Sequence, residues 1–267
     1  CESMKQLYDK YIPGWANEPE LFVRSETIPD MELWDAHIQA KNNLIGYVKK
    51  SAGIDINVDV LTIGFARRFT SYKRADLIFS NLDRLLKICE KGEFQILYAG
   101  KAHPKDTPGK DIIKKIIDLS KKVNDKIKIV FLKDYNIEMA LKLVSGVDVW
   151  LNTPLRPREA SGTSGMKAAH NGVINFSVLD GWWIEGHIEG ITGWSIGPKP
   201  IESSLTNIND AADAEDLYHK LENIIIPMYY HDRNQWIKIM KNSIGKIAYY
   251  FNSHRMMRRY VTEAYLR

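Results

Sequence analysis

The stretch "VLTIGFARRFTSYKR", residues 60–74, changes character in its middle. Its first half, "VLTIGFA", is a short apolar run rich in β-branched residues, which is typical of a strand buried on both faces of a parallel sheet. Its second half, "RRFTSYKR", is strongly basic. We interpret it as the loop that follows the strand.

The same alternation continues along the chain. Further strands are predicted at "FQILYAG", "KIKIVFL", "VDVWLNT" and "VINFSVL". Amphipathic helices are predicted between them at "YKRADLIFSNLDRLLKICEK", "KDIIKKIIDLSKKV" and "IEMALKLVSG", and a Gly-rich turn with a helix after it precedes the last strand. Strands that alternate with helices indicate an α/β fold with a Rossmann-like, doubly wound parallel sheet.

The sequence suggests three segments. Residues 1–54 are predicted to be helical, with Asp30 as a candidate cap of the second helix. Residues 55–210 hold the predicted sheet, and residues 211–267 return to helix.

Bulk composition excludes several classes of protein. The net charge of +4 over 267 residues does not call for nucleic acid, and no apolar run approaches the ~20 residues of a membrane span. The chain has two cysteines and no visible signal peptide, which favours the reducing cytoplasm. We assign no metal site. Because the chain begins with Cys1, we expect it to be a fragment.

Three segments are predicted to meet at one edge of the sheet: residues 66–74, 99–104 and 152–167. Each follows a predicted strand, and ligands of such sheets bind at the carboxyl ends of the strands. The first segment carries four cations at a predicted helix start, namely Arg67, Arg68, Lys73 and Arg74. They would repel one another unless an anion such as phosphate lay between them. The alternative is a solvated basic loop.

The segment "PREASGTSGMKAAHNG", residues 157–172, places an acid, a glycine turn and one lysine close together. Small neighbours suggest a partly buried Lys167, and a neutral lysine can form a Schiff base. An ordinary exposed lysine is the alternative. Glu159 is either an acceptor for sugar hydroxyls or a counter-ion for an arginine. His170 and the pair Trp182 and Trp183 are interpreted as packing residues.

These motifs resemble one family. "EASGTSGMKAAHNGVINFSVLDGWW" resembles the pyridoxal-phosphate lysine motif of the α-glucan phosphorylases, in particular their shorter bacterial and archaeal form. "TIGFARRFTSYKRADLIF" is similar to the phosphate-pocket segment of that family. "AGKAHPKDTPGK" and "GVDVWLNTP" fit between the two in the expected order, so the resemblance covers essentially the whole chain.

The resemblance implies roles for individual residues, all of them expectations. Lys167 would carry pyridoxal 5'-phosphate, and Arg68 and Lys73 would bind the substrate phosphate. The cofactor phosphate would be approached by Arg67, Thr163 and Ser164. The glucosyl unit would be contacted by Glu159, Ser161, Gly162 and Tyr72. Many members of the family have an arginine near the cofactor phosphate where this chain has Asn136.

The resemblance also implies an architecture and a reaction. The chain would be the C-terminal half of a two-domain GT-B glycosyltransferase, with residues 1–54 a helical remnant of the N-terminal domain and residues 211–267 packing back toward it. The reaction would be reversible phosphorolysis of α-1,4-glucan ends by inorganic phosphate, giving α-glucose 1-phosphate. The chain alone would be inactive without its N-terminal domain, and a homo-oligomer is conceivable. The alternatives are a nucleotide-sugar glucosyltransferase and an inert glucan-binding module.

Overall fold

A parallel sheet organises the molecule. A computed structural model describes residues 1–198 and 209–266, and within them six strands form the sheet. The strands are β1 (Leu61–Ala66), β2 (Phe94–Ala99), β3 (Lys128–Leu132), β4 (Val149–Asn152), β5 (Ile174–Val178) and β6 (Gly193–Ile196). Their spatial order is β3-β2-β1-β4-β5-β6, and every neighbouring pair is parallel. The order reverses direction between β1 and β4, which confirms the predicted doubly wound fold.

Helices cover both faces of this sheet. The α-helices are α1 (Glu2–Tyr11), α2 (Asp30–Ala52), α3 (Leu82–Ile88), α4 (Thr107–Val123), α5 (Ile137–Gly146), α6 (Thr163–Ala169), α7 (Trp183–Gly186), α8 (Asp210–Lys220), α9 (Ile226–His231), α10 (Arg233–Asn242) and α11 (Ser253–Tyr260). Short 3₁₀ segments lie at Pro19–Thr27, Ser71–Lys73, Leu77–Phe79 and Cys89–Lys91. Wider π-helical turns continue the last helices at Leu221–Ile225, Ser243–Ala248 and Val261–Tyr265.

Alternate residues of β1 to β4 enter two different cores. Ile63 and Phe65 of β1 belong to a large apolar cluster on one face of the sheet, together with Tyr98 of β2. Leu97 of β2 and Trp150 of β4 belong to the cluster on the other face. Because both faces are covered there, these four strands are largely continuous apolar runs rather than alternating ones.

Three sequence-based expectations about elements were wrong. The helix predicted over 72–91 begins only at Leu82, where Asn81 caps it by accepting a hydrogen bond from the Arg84 N–H at 3.0 Å. The preceding turns are irregular because Arg74 adopts a left-handed conformation with φ of 44°. Asp30 is the first residue of α2 rather than its cap, and its carboxylate pairs with Lys241. The short strand β6 was not predicted.

The two ends of the chain pack on each other. The Ser25 hydroxyl donates a hydrogen bond to the Lys241 carbonyl at 3.0 Å, and the ion pair between Lys241 and Asp30 lies beside it. The proposed division at residues 54/55 and 210/211 stays a prediction. Residues 199–208 and residue 267 belong to the predicted second and third segments and lie outside the described residues.

A buried ionic network closes the amino end of the sheet. Asp148, just before β4, accepts hydrogen bonds from His37 Nε2 at 2.8 Å, Lys41 Nζ at 2.6 Å and the Thr62 N–H at 2.7 Å. Lys41 also donates to the Tyr229 hydroxyl at 3.0 Å. Burial disfavours the ionised form of Asp148, but the attraction of Lys41 and the bond from His37 hold its pKa below the ordinary value.

Candidate functional site

The loops after β1 and β2 remain paired beyond the strands. The Arg67 N–H donates to the Ala99 carbonyl at 3.1 Å, and the Phe69 N–H donates to the Lys101 carbonyl at 3.0 Å. Gly100, with φ of 151°, leaves no room for a Cβ, because that atom would lie 1.9 Å from the Arg67 carbonyl oxygen. This close approach holds the basic segment at the carboxyl edge of the sheet.

The loop after β4 joins the same edge. The Leu155 N–H donates to the Tyr72 carbonyl at 2.7 Å, and the Thr153 hydroxyl donates to the Lys73 carbonyl at 3.0 Å. The predicted meeting of residues 66–74, 99–104 and 152–167 is therefore confirmed for the residues that make these contacts.

A carboxylate lies between two of the four cations. Glu159 Oε2 is 2.6 Å from Lys73 Nζ and 3.0 Å from an Arg67 guanidinium nitrogen. The Glu159, Lys73 and Arg67 side chains are 8%, 8% and 13% exposed, so this cluster lies just under the surface. Of the two alternatives for Glu159, the counter-ion is the one that the structure shows, and its partners include a lysine as well as an arginine.

Both cations have a second support. The Arg67 guanidinium also donates to the side-chain oxygen of Asn152, and Lys73 Nζ lies 4.5 Å from the centre of the Tyr72 ring. Burial lowers the pKa of Arg67 from its ordinary value, and the Glu159 carboxylate counteracts this effect only in part. The two positive groups are thus positioned by more than the carboxylate that joins them.

The other two cations have different environments. The Arg74 guanidinium is buried and donates to the carbonyls of Thr153 and Pro154 at 3.0 and 2.9 Å. It also pairs with Asp210 and Asp213, both at 2.7 Å. Its role is therefore structural.

Arg68 differs from its three neighbours. It is exposed and forms no ion pair with any residue in 1–198 or 209–266. That an external anion lies among these cations stays a prediction, although Arg74 is already paired with Asp210 and Asp213. Internal carboxylates compensate three of them, and α3 begins eight residues after Arg74.

The Glu159 backbone is fixed independently of its carboxylate. The Glu159 N–H donates to Asp180 Oδ2 at 2.8 Å, and the Gly181 N–H donates to Asp180 Oδ1 at 2.9 Å. Burial raises the pKa of Asp180, against the effect of these two hydrogen bonds. Asp180 therefore anchors the main chain at Glu159, while the longer Glu159 side chain makes its ionic contacts separately.

The glycine turn positions α6. Gly162, with φ of 94°, precedes the helix in a left-handed conformation that favours glycine. A Cβ on Gly165 would lie 2.4 Å from Asn175 Oδ1, and the Asn175 amide donates to the Gly165 carbonyl at 3.0 Å. Glycine is required here because α6 lies directly against β5.

Lys167 lies one helical turn after Thr163, so both occupy the same face of α6. Both are exposed, and the predicted partial burial of Lys167 was wrong. The buried alanines of the motif, Ala168 and Ala169, occupy the opposite face and do not enclose the lysine. The Ser164 hydroxyl turns away and accepts a hydrogen bond from Trp150 Nε1 at 3.2 Å.

A cleft of about 1260 Å³ lies in front of this face. Ser161, Thr163 and Lys167 line one side of it. Trp15 and Arg255 line other parts, with the Arg255 guanidinium stacked 3.3 Å from the centre of the Tyr250 ring. Sequence reasoning missed these contributions from the two ends of the chain. The aromatic "YIPGW" and "AYYFNSHR" segments are the only signals that pointed to them.

The remaining candidate residues are engaged in packing or capping. Trp182 and Trp183 are 5% and 0% exposed. His170 Nδ1 contacts the Met166 carbonyl oxygen at 2.8 Å, and burial lowers the pKa of His170. The Asn136 side chain caps α5 by accepting a hydrogen bond from the Met139 N–H at 2.9 Å. Asn136 therefore serves as a helix cap, and its correspondence to an arginine found in many members of the family stays a prediction.

Two classes of feature are absent from residues 1–198 and 209–266. No group of three or more His, Cys, Asp or Glu side chains in them is arranged to hold a metal ion. None of their helices combines the length and the apolar character needed to cross a bilayer.

Comparisons with known proteins point in one direction. The sequence profile described as "Carbohydrate phosphorylase" matches residues 22–190. The maltodextrin phosphorylase of Thermococcus litoralis is 45% identical over 98% of this chain and 34% of its own length. The glycogen phosphorylase of Aquifex aeolicus is 42% identical over 99% of this chain and 42% of its own length. A glycogen phosphorylase of Mycobacterium tuberculosis is 38% identical over 78% of this chain and 25% of its own length. The chain thus spans less than half of the relatives it matches.

Proposed function

Because the chain belongs to the carbohydrate phosphorylase family, we propose that it forms the phosphate- and cofactor-binding part of an α-glucan phosphorylase. The reaction is reversible phosphorolysis of α-1,4-glucan ends, which yields α-glucose 1-phosphate. The setting is the cytoplasm. The resemblance implies a second, facing domain that these residues do not include, so we expect the chain alone to bind ligands without turning them over.

One observation carries this proposal. Three residues that the family resemblance assigns to cofactor and sugar, Ser161, Thr163 and Lys167, line the same cleft, and that cleft is large enough for a ligand of drug-like size. Lys167 is exposed at its wall and has no ion pair within the described residues. The Lys167 amine can therefore reach a ligand in the cleft beside those two hydroxyl groups.

The residues present fit pyridoxal 5'-phosphate. Lys167 would hold it covalently, and Thr163, the backbone at Ser164 and Arg67 would approach its phosphate. Arg67 is buried beside Glu159, whose negative charge it shares with Lys73, so the cluster can accept further negative charge. When bound, the cofactor supplies a phosphate group that exchanges a proton with the attacking inorganic phosphate.

The residues of the chain act by binding and orientation. Arg68, exposed and free of a counter-ion within the described residues, and Lys73, held over Tyr72, bind inorganic phosphate as charge-assisted donors. Two phosphate dianions ~4 Å apart repel each other by several kcal/mol at an effective dielectric near 20. Cations on both sides offset this repulsion. Glu159, Ser161 and Gly162 face the sugar hydroxyls, and Tyr72 lines the same pocket.

Trapping of the cofactor on the lysine tests the proposal. The chain is incubated with pyridoxal phosphate, reduced with borohydride, digested and mapped. We expect label on Lys167 in the parent chain and none at this site in Lys167→Ala. The matched control is Lys238→Ala, which removes another exposed helical lysine and should keep the label.

The outcomes separate the alternatives. Label on a different lysine, or equal labelling of the Lys167→Ala chain, would refute the cofactor assignment. A nucleotide-sugar glucosyltransferase has no need of a cofactor at Lys167 and would give no specific label. An inert glucan-binding module would bind maltodextrin without this label.

A further inference from the structure

The Glu159 carboxylate contacts two cations, Arg67 and Lys73, to which the proposed function assigns phosphate groups. Both of its ionic contacts use one oxygen, Oε2, which touches Lys73 and Arg67. The described residues provide no partner for the second oxygen, Oε1. One carboxylate therefore compensates two cations through only one of its two oxygens.

The three groups differ in how firmly they are held. Arg67 also bonds Asn152, and Lys73 lies over the Tyr72 ring, and neither contact involves the carboxylate. The Glu159 main chain is tied to Asp180. The part without a second support is the Glu159 side chain, which can turn away from the cations while the backbone stays in place.

We propose that Glu159 is an internal anion that occupies the Arg67–Lys73 pair until phosphate groups displace it. The released carboxylate then turns toward the sugar hydroxyls, so phosphate and sugar bind cooperatively at this site. This inference rests on the proposed function, because it takes phosphate and a glucosyl unit as the two ligands.

The physical basis is competition for the same donors. A phosphate dianion offers more negative charge and more acceptor oxygens than one carboxylate, so it takes the two cations more strongly. A carboxylate freed from two cations is in turn a stronger acceptor for neutral hydroxyl donors. Each ligand therefore raises the affinity for the other by the same factor, as linkage requires.

Calorimetric titration with inorganic phosphate tests the competition. Glu159→Gln removes the competing charge at nearly constant shape, and we expect it to bind phosphate about tenfold more tightly than the parent chain. Glu185→Gln is the matched control, because Glu185 lines the cleft but pairs with neither cation. Its phosphate affinity should equal that of the parent.

A second measurement needs no variant. Maltose binding to the parent chain is titrated without phosphate and with saturating phosphate, and we expect the affinity to rise several-fold. In Glu159→Gln this rise should disappear. Unfolding of Glu159→Gln would leave this parent-chain measurement to decide.

The contrary outcomes are distinct. Equal or weaker phosphate binding by Glu159→Gln would show that Glu159 only positions the cations, and so would a maltose affinity that phosphate does not change. Either result overturns this inference but leaves the proposed function standing if Lys167 is labelled. Loss of specific labelling at Lys167 overturns the proposed function, whatever the phosphate titrations show.

Discussion

At each end of the sheet one carboxylate compensates two basic side chains, but the two clusters differ in exposure. At the amino end, Asp148 joins a histidine and a lysine, and all three side chains are at most 1% exposed. At the carboxyl end, Glu159 joins an arginine and a lysine that are 13% and 8% exposed. Each group consists of one carboxylate between two basic side chains.

The two groups differ in how many of their carboxylate oxygens accept hydrogen bonds. Asp148 receives donors at both of its oxygens, including the backbone N–H of Thr62. Glu159 uses one oxygen, and Arg68 lies exposed beside the cluster. A saturated network stabilises the fold and has no free acceptor for a ligand, whereas an unsaturated one just under the surface can exchange partners.

The largest effect is expected from disruption of the Asp148 network at the amino end of the sheet. Asp148→Asn should lower the free energy of unfolding by about 3–5 kcal/mol, because it leaves buried Lys41 without its carboxylate. Glu159→Gln should cost only about 1–3 kcal/mol, because its partners Arg67 and Lys73 are 13% and 8% exposed and the amide oxygen of glutamine can still accept a hydrogen bond. Urea denaturation followed by circular dichroism measures both.

Two further variants check this interpretation. Asp35→Asn removes an exposed carboxylate from the same helix as Lys41 and should change stability by less than about 0.5 kcal/mol. Adding Lys41→Met to Asp148→Asn should recover part of the loss, since no charge is then left unpaired. Equal losses for Asp148→Asn and Glu159→Gln would remove the distinction between the two ends.

The next prediction concerns Arg68 at the carboxyl end of the sheet. Arg68→Ala should weaken phosphate binding about ten- to a hundredfold, the value of a charge-assisted contact of roughly 1.5–3 kcal/mol. Its stability should stay within about 0.5 kcal/mol of the parent, because the side chain is exposed. Phosphate titration and urea denaturation of the same variant separate the two quantities.

Lys133→Ala is the matched control for Arg68→Ala. Lys133 is an exposed cation directly after β3, at the same edge of the sheet. We expect its removal to change phosphate affinity by less than about threefold, as screening of distant exposed charges requires. A loss as large as that of Arg68→Ala would mean that phosphate responds to the general positive charge of the edge rather than to one arginine.

The smallest expected effect concerns Glu189, a third carboxylate that contacts two basic side chains. Glu189 joins His187 at 2.6 Å and Lys220 at 3.4 Å, but its side chain is 44% exposed. Burial opposes its ionised form, yet hydrogen bonds from His187 and Ser195 and the charge of Lys220 lower its pKa to about 2. The folded-state pKa is thus below the ordinary value of 4.5.

The sign of the pH effect follows from that difference. The stabilisation is present above pH 4.5 and is lost as the pH falls toward 2. Because solvent screens the group, we expect a contribution of only about 1 kcal/mol. Stability of the parent and of Glu189→Gln is compared from pH 6 to pH 3 by thermal unfolding, and the variant should show the shallower decline. Parallel pH profiles would contradict the assignment.

Local patterns predicted most of the fold. The strands were predictable because both faces of the sheet are covered, which leaves long apolar runs such as "FQILYA". The helix start at Leu82 was missed although Asn81 is a local capping signal, because the amphipathic pattern continues upstream through residues 72–81. The strand β6 contains only four residues, one of them glycine, so it is too short to give a clear local pattern.

The candidate site was predictable in composition but not in pairing. Sequence placed Glu159 and the cations of residues 67–74 at one edge, since parallel strands end together. Which cation each carboxylate would join depends on distances across β1 and β4, which no local pattern contains. The buried network around Asp148 was missed for the same reason, since His37 and Asp148 are separated by 111 positions.

Gly165 allows α6 to pack directly against β5, and this packing determines how far Lys167 extends into the cleft. Any Cβ there would overlap Asn175 and approach Trp182, so a larger residue would push α6 away from β5. Lys167 follows Gly165 by two residues on the same short helix, so it would move with the helix. A shift of about 1 Å can cost a reaction two orders of magnitude when a group must meet its ligand in one geometry. The close packing at Gly165 thus sets the depth from which the lysine extends into the cleft.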